Sequence, residues 1–233
     1  MSDTLEATGR GRVFGQRVPR NEDSGLLTGQ AQFVDDIRLP QTAQAVFVRS
    51  PHPHALINSI DTRVAAAADG VSAVFTLDDL RPHLVATRLP TGAADPHQES
   101  HTSPGVLAGQ EVCHVGEAIA VVIADTRHQA EDAASLVVID YELLPSVSDC
   151  RVALAEDAPP VHLGRDNNLS VSRTVEFGDI DAAFSRTAHI FREKLWQHKG
   201  AAHSIECRGV LARFEPLDDR ITVWSSTQVP HRV

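Results

Sequence analysis

Alternating polar and apolar positions predict short strands through the first half of the chain. These runs are rich in β-branched residues and are bounded by serine, proline or glycine, which is typical of strands that end in turns. The predicted strands lie at 46–48, 56–60 and 71–75. Between the second and third, an alanine-rich run at 63–68 ends before a glycine and predicts a short helix.

The most continuous apolar run, at 117–124, predicts a strand that is covered on both faces. Thr126 and Gln129 have the spacing of a capping box and predict the start of a helix. That helix leads directly into a further strand at 138–142. Strand, helix and strand with short links predict a βαβ-type unit, and therefore a domain of mixed α and β structure.

The rest of the chain divides into an arm, a long connection, a linker and a second strand-rich region. Residues 1 to about 30 are polar and rich in glycine, and predict an extended arm. The proline-containing segment 81–113 predicts either a functional loop or interface, or a disordered insertion. The segment 149–168 predicts a surface linker. Beyond it, the pattern predicts a helix at 179–185 and strands at 189–197, 205–214 and 221–226.

Charge and composition exclude several classes of protein. The 233 residues include 21 lysines and arginines against 31 aspartates and glutamates, which gives a formal net charge of −10. Binding to nucleic acid requires clustered basic residues, and here they are scattered. The N-terminal residues lack the apolar core of a signal peptide, and no apolar run is long enough to span a bilayer. The sequence therefore predicts a cytoplasmic protein.

The cysteines and histidines predict no bound metal. Cys113, Cys150 and Cys207 are far apart and odd in number, which suits a reducing compartment, and they lack the paired spacing of zinc or iron–sulfur ligands. We interpret them as free, partly buried thiols. Of the 12 histidines, the nearest pair, His52 and His54, lies in a proline-bracketed turn without a carboxylate or cysteine at ligand spacing. We interpret the histidines as surface and turn residues.

Polar side chains cluster where the last predicted strand ends. Thr227, Gln228 and His231 present a hydroxyl, an amide and an imidazole together, as the wall of a binding site would. Upstream, Glu206 and Arg208 lie two residues apart on a predicted strand and therefore share a face. Because a lone buried carboxylate is costly, we expect the two to form a structural ion pair, with a catalytic acid as the alternative.

The end of the chain and seven upstream segments, all in one order, resemble the large subunit of the molybdenum hydroxylases. This family includes xanthine dehydrogenase, aldehyde oxidase and the aerobic carbon monoxide dehydrogenases. The sequence near the N-terminus is most similar to the carbon monoxide dehydrogenase branch. The likeness covers nearly the whole chain. The upstream segments lie at 20–29, 33–37, 49–55, 115–122, 130–134, 140–145 and 178–184.

The resemblance implies an α+β fold class, with an α/β hammerhead domain followed by the first strands of a molybdopterin-binding domain. We expect the N-terminal arm and hammerhead domain at 1–148, a linker at 149–170, and the incomplete start of the molybdopterin-binding domain at 171–233. The implied activity is oxidation or hydroxylation of a carbon centre in an aldehyde, an N-heterocycle or CO, with oxygen derived from water. We expect the chain alone to be inactive, because most walls of the pocket are missing.

The resemblance assigns Gln228 to the cofactor, since the family places a glutamine amide there, near an oxo ligand of molybdenum. A neutral N–H donor can steady a metal-bound oxygen without adding charge. Glu206 and Arg208 are candidate site-lining residues, although Cys207 stands where the family commonly has proline. No catalytic residue and no metal ligand is assigned to this chain. In the family a pterin holds the molybdenum, and both the glycine-rich pterin segment and the general-base glutamate lie further along the polypeptide.

The implied partners are the remainder of the large subunit or a complementary chain, iron–sulfur and FAD subunits that take up the electrons, and a small-molecule substrate. The resemblance implies a molybdenum–pterin cofactor in the completed enzyme and none in this chain alone. Nucleic acid and membrane are not expected as partners. Two alternatives to this interpretation stay open. In the first, the chain is a non-catalytic structural subunit of a split enzyme. In the second, it is a degenerate hammerhead binding module without catalysis.

Overall fold

The computed structural model describes residues 17–89, 103–172, 174–198, 200, 203–228 and 230–232. Contacts between residues divide the chain into two compact units. The larger unit is Gln41–Glu193, and the smaller joins the N-terminal segment up to Pro40 to the segment that begins at Lys194. The domain boundaries expected near 148 and 171 stay predictions.

The described residues form eight strands and five α-helices. The strands are β1 (Gln44–Arg49), β2 (Ala55–Asp61), β3 (Val71–Thr76), β4 (Glu111–Val112), β5 (Ala118–Ala124), β6 (Val138–Leu143), β7 (Val210–Glu215) and β8 (Arg220–Ser225). The helices are α1 (Asp23–Thr28), α2 (Arg63–Ala66), α3 (Leu77–Leu80), α4 (Arg127–Ala134) and α5 (Ile180–Arg186). None of them is long and apolar enough to cross a membrane.

Two three-stranded antiparallel sheets build the larger unit. In the first, β5 lies between β1 and β3, and Val122 is paired with Val46 on one side and Val74 on the other. In the second, β2 lies between β4 and β6. The central position of β5 agrees with its sequence, because a strand with neighbours on both edges and cover on its faces must be apolar throughout. Ile119, Val122 and other residues of β5 are fully buried.

The predicted βαβ-type unit is wrong in its pairing. Helix α4 connects β5 to β6, but these two strands belong to different sheets, and the strand pairs of the described residues are all antiparallel. The helix itself begins as predicted, since Thr126 accepts a hydrogen bond from the Gln129 backbone N–H at 3.3 Å. Local sequence determines that a strand forms, whereas distant segments determine its neighbours.

Two apolar clusters form the core of the larger unit. In the first, the alanines of α4 pack against Val122 and Ala124 of β5, and small side chains let the helix approach the sheet closely. The second surrounds Ile119 and includes Ala108 and Val112. Full burial of a valine or isoleucine side chain stabilises the fold by roughly 1.5–3 kcal/mol. The second cluster therefore anchors the segment that leads into β4.

The long connection at 81–113 has more structure than its proline content predicts. It begins with a 3-10 turn at Arg81–His83 and ends in the strand β4. An isolated antiparallel bridge joins Arg88 to Gly105. Residues 90–102 lie outside the described residues. Both interpretations of this connection, a functional loop or interface and a disordered insertion, therefore stay predictions.

The smaller unit differs from its sequence-based expectations in two places. The arm is not extended throughout, because α1 forms within it and ends at Gly29, whose φ of 69° requires the left-handed conformation that glycine adopts readily. Residues 1–16 of the arm lie outside the described residues. The strand expected at 205–214 begins only at Val210. The last two predicted strands are present as β7 and β8, which pair antiparallel as a hairpin.

Two further expectations concern the stretch of sequence between β6 and β7. Helix α5 begins as predicted, where Asp179 accepts a hydrogen bond from the Ala182 backbone N–H at 2.8 Å. The strand expected at 189–197 is absent, since these residues form no ladder within the described part of the chain. Their alternating pattern lacks a partner strand there, and a single strand without a partner leaves its backbone groups unpaired.

Candidate functional site

Ser226, directly after β8, fastens the segment that precedes β7. Its backbone N–H donates to the Gly209 carbonyl at 3.0 Å, and its hydroxyl accepts from the Gly209 N–H at 2.7 Å. The same hydroxyl donates to the Cys207 carbonyl at 3.0 Å. These bonds extend the hairpin beyond its ladder. They also position Arg208, which lies between the two bonded residues, and Gln228, two residues beyond the serine.

Glu206 has a backbone partner rather than the arginine that the sequence suggests. Its carboxylate accepts a hydrogen bond at 2.9 Å from the N–H of Val34, which begins the 3-10 turn Val34–Asp36. Glu206 is half-buried and Arg208 is exposed. No ion pair joins them, although both are described, so the predicted pair is wrong. The reason is local, because 205–209 is not a strand and a two-residue spacing there does not place side chains on one face.

Thr227, Gln228 and His231 are exposed at the end of the chain. Gln228 lies between β8 and a 3-10 turn at Pro230–Arg232. Its exposure leaves the carboxamide N–H accessible to a partner or ligand. The cofactor role of Gln228 and the site-lining role of Glu206 and Arg208 stay predictions.

A cleft of about 950 Å³ lies within the larger unit. Its walls come from β2, from the residues around α3, from the segment 103–117 and from the linker at 161–163. Gln228, Glu206 and Arg208 are not among its lining residues. No local sequence pattern indicates this cleft, because the residues of its walls are far apart along the chain.

The cysteines differ from one another in environment. Cys113 is half-buried in the wall of the cleft, as interpreted from the sequence, whereas Cys150 and Cys207 are exposed and that interpretation is wrong for them. Burial raises the pKa of the Cys113 thiol to about 12, and the carboxylates of Glu111 and Glu117 add to this effect. The group is therefore a neutral thiol at physiological pH unless a cation joins it.

The interpretation of the histidines as surface residues is wrong for His54. Its ring is buried, and Nδ1 lies 2.8 Å from the carbonyl oxygen of Pro145. His52 contacts the ring of Tyr141 edge to face, with 4.8 Å between the ring centroids. The turn at 50–53 thus directs one histidine into the second sheet, and the sequence spacing gave no sign of this.

Comparison with known proteins places these features in a family. The model for the aldehyde oxidase and xanthine dehydrogenase a/b hammerhead domain matches residues 28–145, about half of the chain. The chain belongs to the aldehyde oxidase and xanthine dehydrogenase family. The model for the molybdopterin cofactor-binding domain matches residues 161–233. The α+β fold class, with a hammerhead domain before the start of a molybdopterin-binding domain, is confirmed.

Relatives in this family share sequence along nearly all of the chain. The nicotine 6-hydroxylase large subunit of Paenarthrobacter nicotinovorans is 38% identical over 95% of it, and the carbon monoxide dehydrogenase large chain of Afipia carboxidovorans is 33% identical over 98%. The crystal structure of quinoline 2-oxidoreductase from Pseudomonas putida 86 superposes with a TM-score of 0.79 at 32% identity over 95% of the chain. The chain spans 27%, 29% and 28% of these three proteins.

Proposed function

We propose that the chain is the N-terminal portion of a molybdenum hydroxylase large subunit. The completed enzyme oxidises or hydroxylates a carbon centre with oxygen from water, and the chain alone is inactive. The observation that carries this proposal is the order of the two family matches, the hammerhead domain at 28–145 followed by the molybdopterin cofactor-binding domain at 161–233. The relatives, which are more than three times as long, support a polypeptide that continues beyond these residues.

The residues of this chain fit a contact to the cofactor rather than a complete binding site. When bound, the molybdenum–pterin cofactor supplies the two-electron oxidation of the substrate carbon. Gln228 is exposed at a strand end, and its carboxamide can donate a neutral N–H to an oxygen of the cofactor. The hydrogen bonds of Ser226 hold that strand end in place. The other walls come from polypeptide outside this chain.

Exposed apolar side chains support a further protein surface that covers this chain. Large apolar residues near its C-terminal third are almost fully solvent-exposed, with exposed fractions of at least 86%. A soluble protein rarely leaves so many large apolar residues open unless another surface contacts them. The exposed residues are Phe177, Phe191, Leu195, Ile205 and Leu217. We infer that the remainder of the large subunit contacts these side chains, and that iron–sulfur and FAD subunits bind the assembled protein.

An aromatic N-heterocycle is the first substrate class to test. Two of the relatives carry nicotine and quinoline in their names, and a third carries carbon monoxide. Aldehydes and CO are the other classes of the proposal. Loops outside this chain would distinguish among them.

The proposal is tested by comparing two preparations, the chain alone and the full coding sequence co-expressed with its iron–sulfur and FAD subunits. Metal analysis is expected to give background molybdenum for the chain alone and close to one molybdenum per large subunit for the complex. The complex is expected to reduce a dye with a heterocycle, an aldehyde or CO as the electron donor. Stoichiometric molybdenum in the chain alone would overturn the proposal that its cofactor site is incomplete. A complex that contains no molybdenum would overturn the proposal of a molybdenum enzyme and favour the alternative of a non-catalytic binding module.

A further inference from the structure

Three side chains that commonly bind metals meet at the wall of the cleft in the larger unit. They are Glu111 at the start of β4, Cys113 directly after it, and His162 from the linker. Their ligand atoms all lie within 4.8 Å of one another, and all three residues are half-buried. Cys113 Sγ is 3.2 Å from His162 Nδ1, which in turn is 3.8 Å from Glu111 Oε1.

These separations fit the ligands of a single small cation. With bonds of about 2.0–2.3 Å in a tetrahedral zinc site, neighbouring ligand atoms lie roughly 3.3–3.7 Å apart. The sulfur–nitrogen distance of 3.2 Å and the nitrogen–oxygen distance of 3.8 Å lie close to that range on either side, so small side-chain rotations suffice to reach it. Sulfur, imidazole nitrogen and carboxylate oxygen are ligand types that zinc accepts together, whereas calcium and magnesium select oxygen alone.

His54 gives a second and independent indication of a cation. Its side chain is 94% buried, and Nε2 has no hydrogen-bond partner. Because Nδ1 faces a carbonyl oxygen and donates to it, Nε2 is the ring nitrogen that is left for another partner. Nε2 lies 3.7 Å from Glu111 Oε2. A cation bound at the Glu111 carboxylate would give this buried nitrogen a partner.

The charge around the cluster favours a cation as well. Glu111 and Glu117 each lie close to Cys113, and among the described residues no lysine or arginine lies within ion-pair distance of either carboxylate; their only nitrogen neighbours at that distance are the histidines His54, His114 and His162. A bound divalent cation would compensate these two carboxylates.

Backbone groups already orient the cluster. Glu111 Oε2 accepts a hydrogen bond from the Leu163 N–H at 2.8 Å, and Glu117 accepts one from the Cys113 N–H at 2.6 Å. Partners of this kind fix the direction of ligand side chains at metal sites. An ion at this position would fasten the linker around His162 to β4, and the open cleft provides a path for its entry.

We propose that Glu111, Cys113 and His162 bind one Zn²⁺ ion, with His54 beside the carboxylate, and that this ion fastens the linker to the second sheet. The spacing of the cysteines and histidines predicts no bound metal in this chain, and Glu111, Cys113 and His162, which are separated by up to 51 positions, form no recognisable motif. The proposal does not depend on the proposed enzyme activity. It concerns residues of this chain alone and can fail while the molybdenum proposal holds.

The test is a Zn²⁺ titration of the 233-residue chain, prepared without a histidine tag and stripped with a chelator. Calorimetry is expected to give one Zn²⁺ per chain for the unchanged sequence. Cys113→Ser and His162→Gln are each expected to weaken binding by at least about 10- to 100-fold, because that is the cost of losing even an outer partner of a metal ligand and these residues would contact the ion directly. Cys207→Ser and His189→Gln change exposed residues outside the cluster and are expected to bind as the unchanged chain does.

Cobalt gives a readout that reports the sulfur ligand directly. Co²⁺ bound to a thiolate produces a near-ultraviolet charge-transfer band, which is expected in the unchanged chain and in Cys207→Ser, and is expected to be lost in Cys113→Ser. Circular dichroism checks that each variant is folded. The proposal is overturned if the unchanged, folded chain takes up no Zn²⁺ or shows no thiolate band. Equal Zn²⁺ affinity in folded Cys113→Ser overturns it as well.

Discussion

At the scale of single residues, Glu206 shows how a half-buried carboxylate is satisfied by backbone rather than by a charge. The Glu206 carboxylate accepts a hydrogen bond from the backbone N–H of Val34, which lies 172 positions earlier in the chain. The sequence indicates that Glu206 needs a partner, but only the fold identifies it. The glutamate therefore connects the arm to the hairpin within the smaller unit, and a role in chemistry is not required to explain its burial.

Gln228 is the residue for which we predict a direct effect on turnover. In the completed enzyme, Gln228→Ala removes the N–H that we expect to contact the cofactor, and turnover should fall by about tenfold, as for other groups that tune a metal centre. Steady-state kinetics and molybdenum content measure the effect. Gln197→Ala changes an exposed glutamine of the same unit and serves as the control. Unchanged kinetics in Gln228→Ala, with molybdenum retained, would remove Gln228 from the site.

At the scale of elements, α4 shows which parts of a helix local sequence can determine. Thr126 accepts from the N–H of Gln129 and donates to its side-chain oxygen at 2.7 Å, so both residues of the predicted capping box take part. The alanines at 130 and 133 are buried against β5. The cap and the apolar stripe are properties of neighbouring residues, which is why the sequence predicted this helix closely.

We predict that Thr126→Ala lowers the free energy of unfolding by about 1 kcal/mol, the usual cost of losing an N-cap hydroxyl. Urea denaturation followed by circular dichroism measures it. Thr126→Ser keeps the hydroxyl and should unfold close to the unchanged chain. If the serine and alanine variants unfold at the same urea concentration, the hydroxyl contributes nothing and the cap has no energetic role.

At the scale of the whole molecule, the final hairpin leaves both of its outer edges without a neighbouring strand in the described part of the chain. Strands β7 and β8 pair only with each other there. Val210 and Ile221 are 72% and 65% exposed. A two-stranded sheet is marginal by itself, and open apolar edges recruit other strands. These features agree with a polypeptide that contributes further strands.

The isolated chain is therefore predicted to self-associate. Light scattering should give a mass that exceeds 25.2 kDa and increases with concentration. Ile221→Lys places a charge on the exposed strand and should reduce association, whereas Val64→Lys, on α2, should leave it unchanged. A monodisperse monomer across the concentration range would contradict the prediction.

The sequence by itself determined the family, the fold class, most strand and helix positions, and the cap of α4. These depend on residues that are near one another along the chain. Tertiary structure alone decided that β5 and β6 belong to different sheets and that His54 is buried. It also decided that Glu111, Cys113 and His162 converge. The physical reason is the same in each case, because packing brings together side chains whose separation in sequence carries no periodic signal.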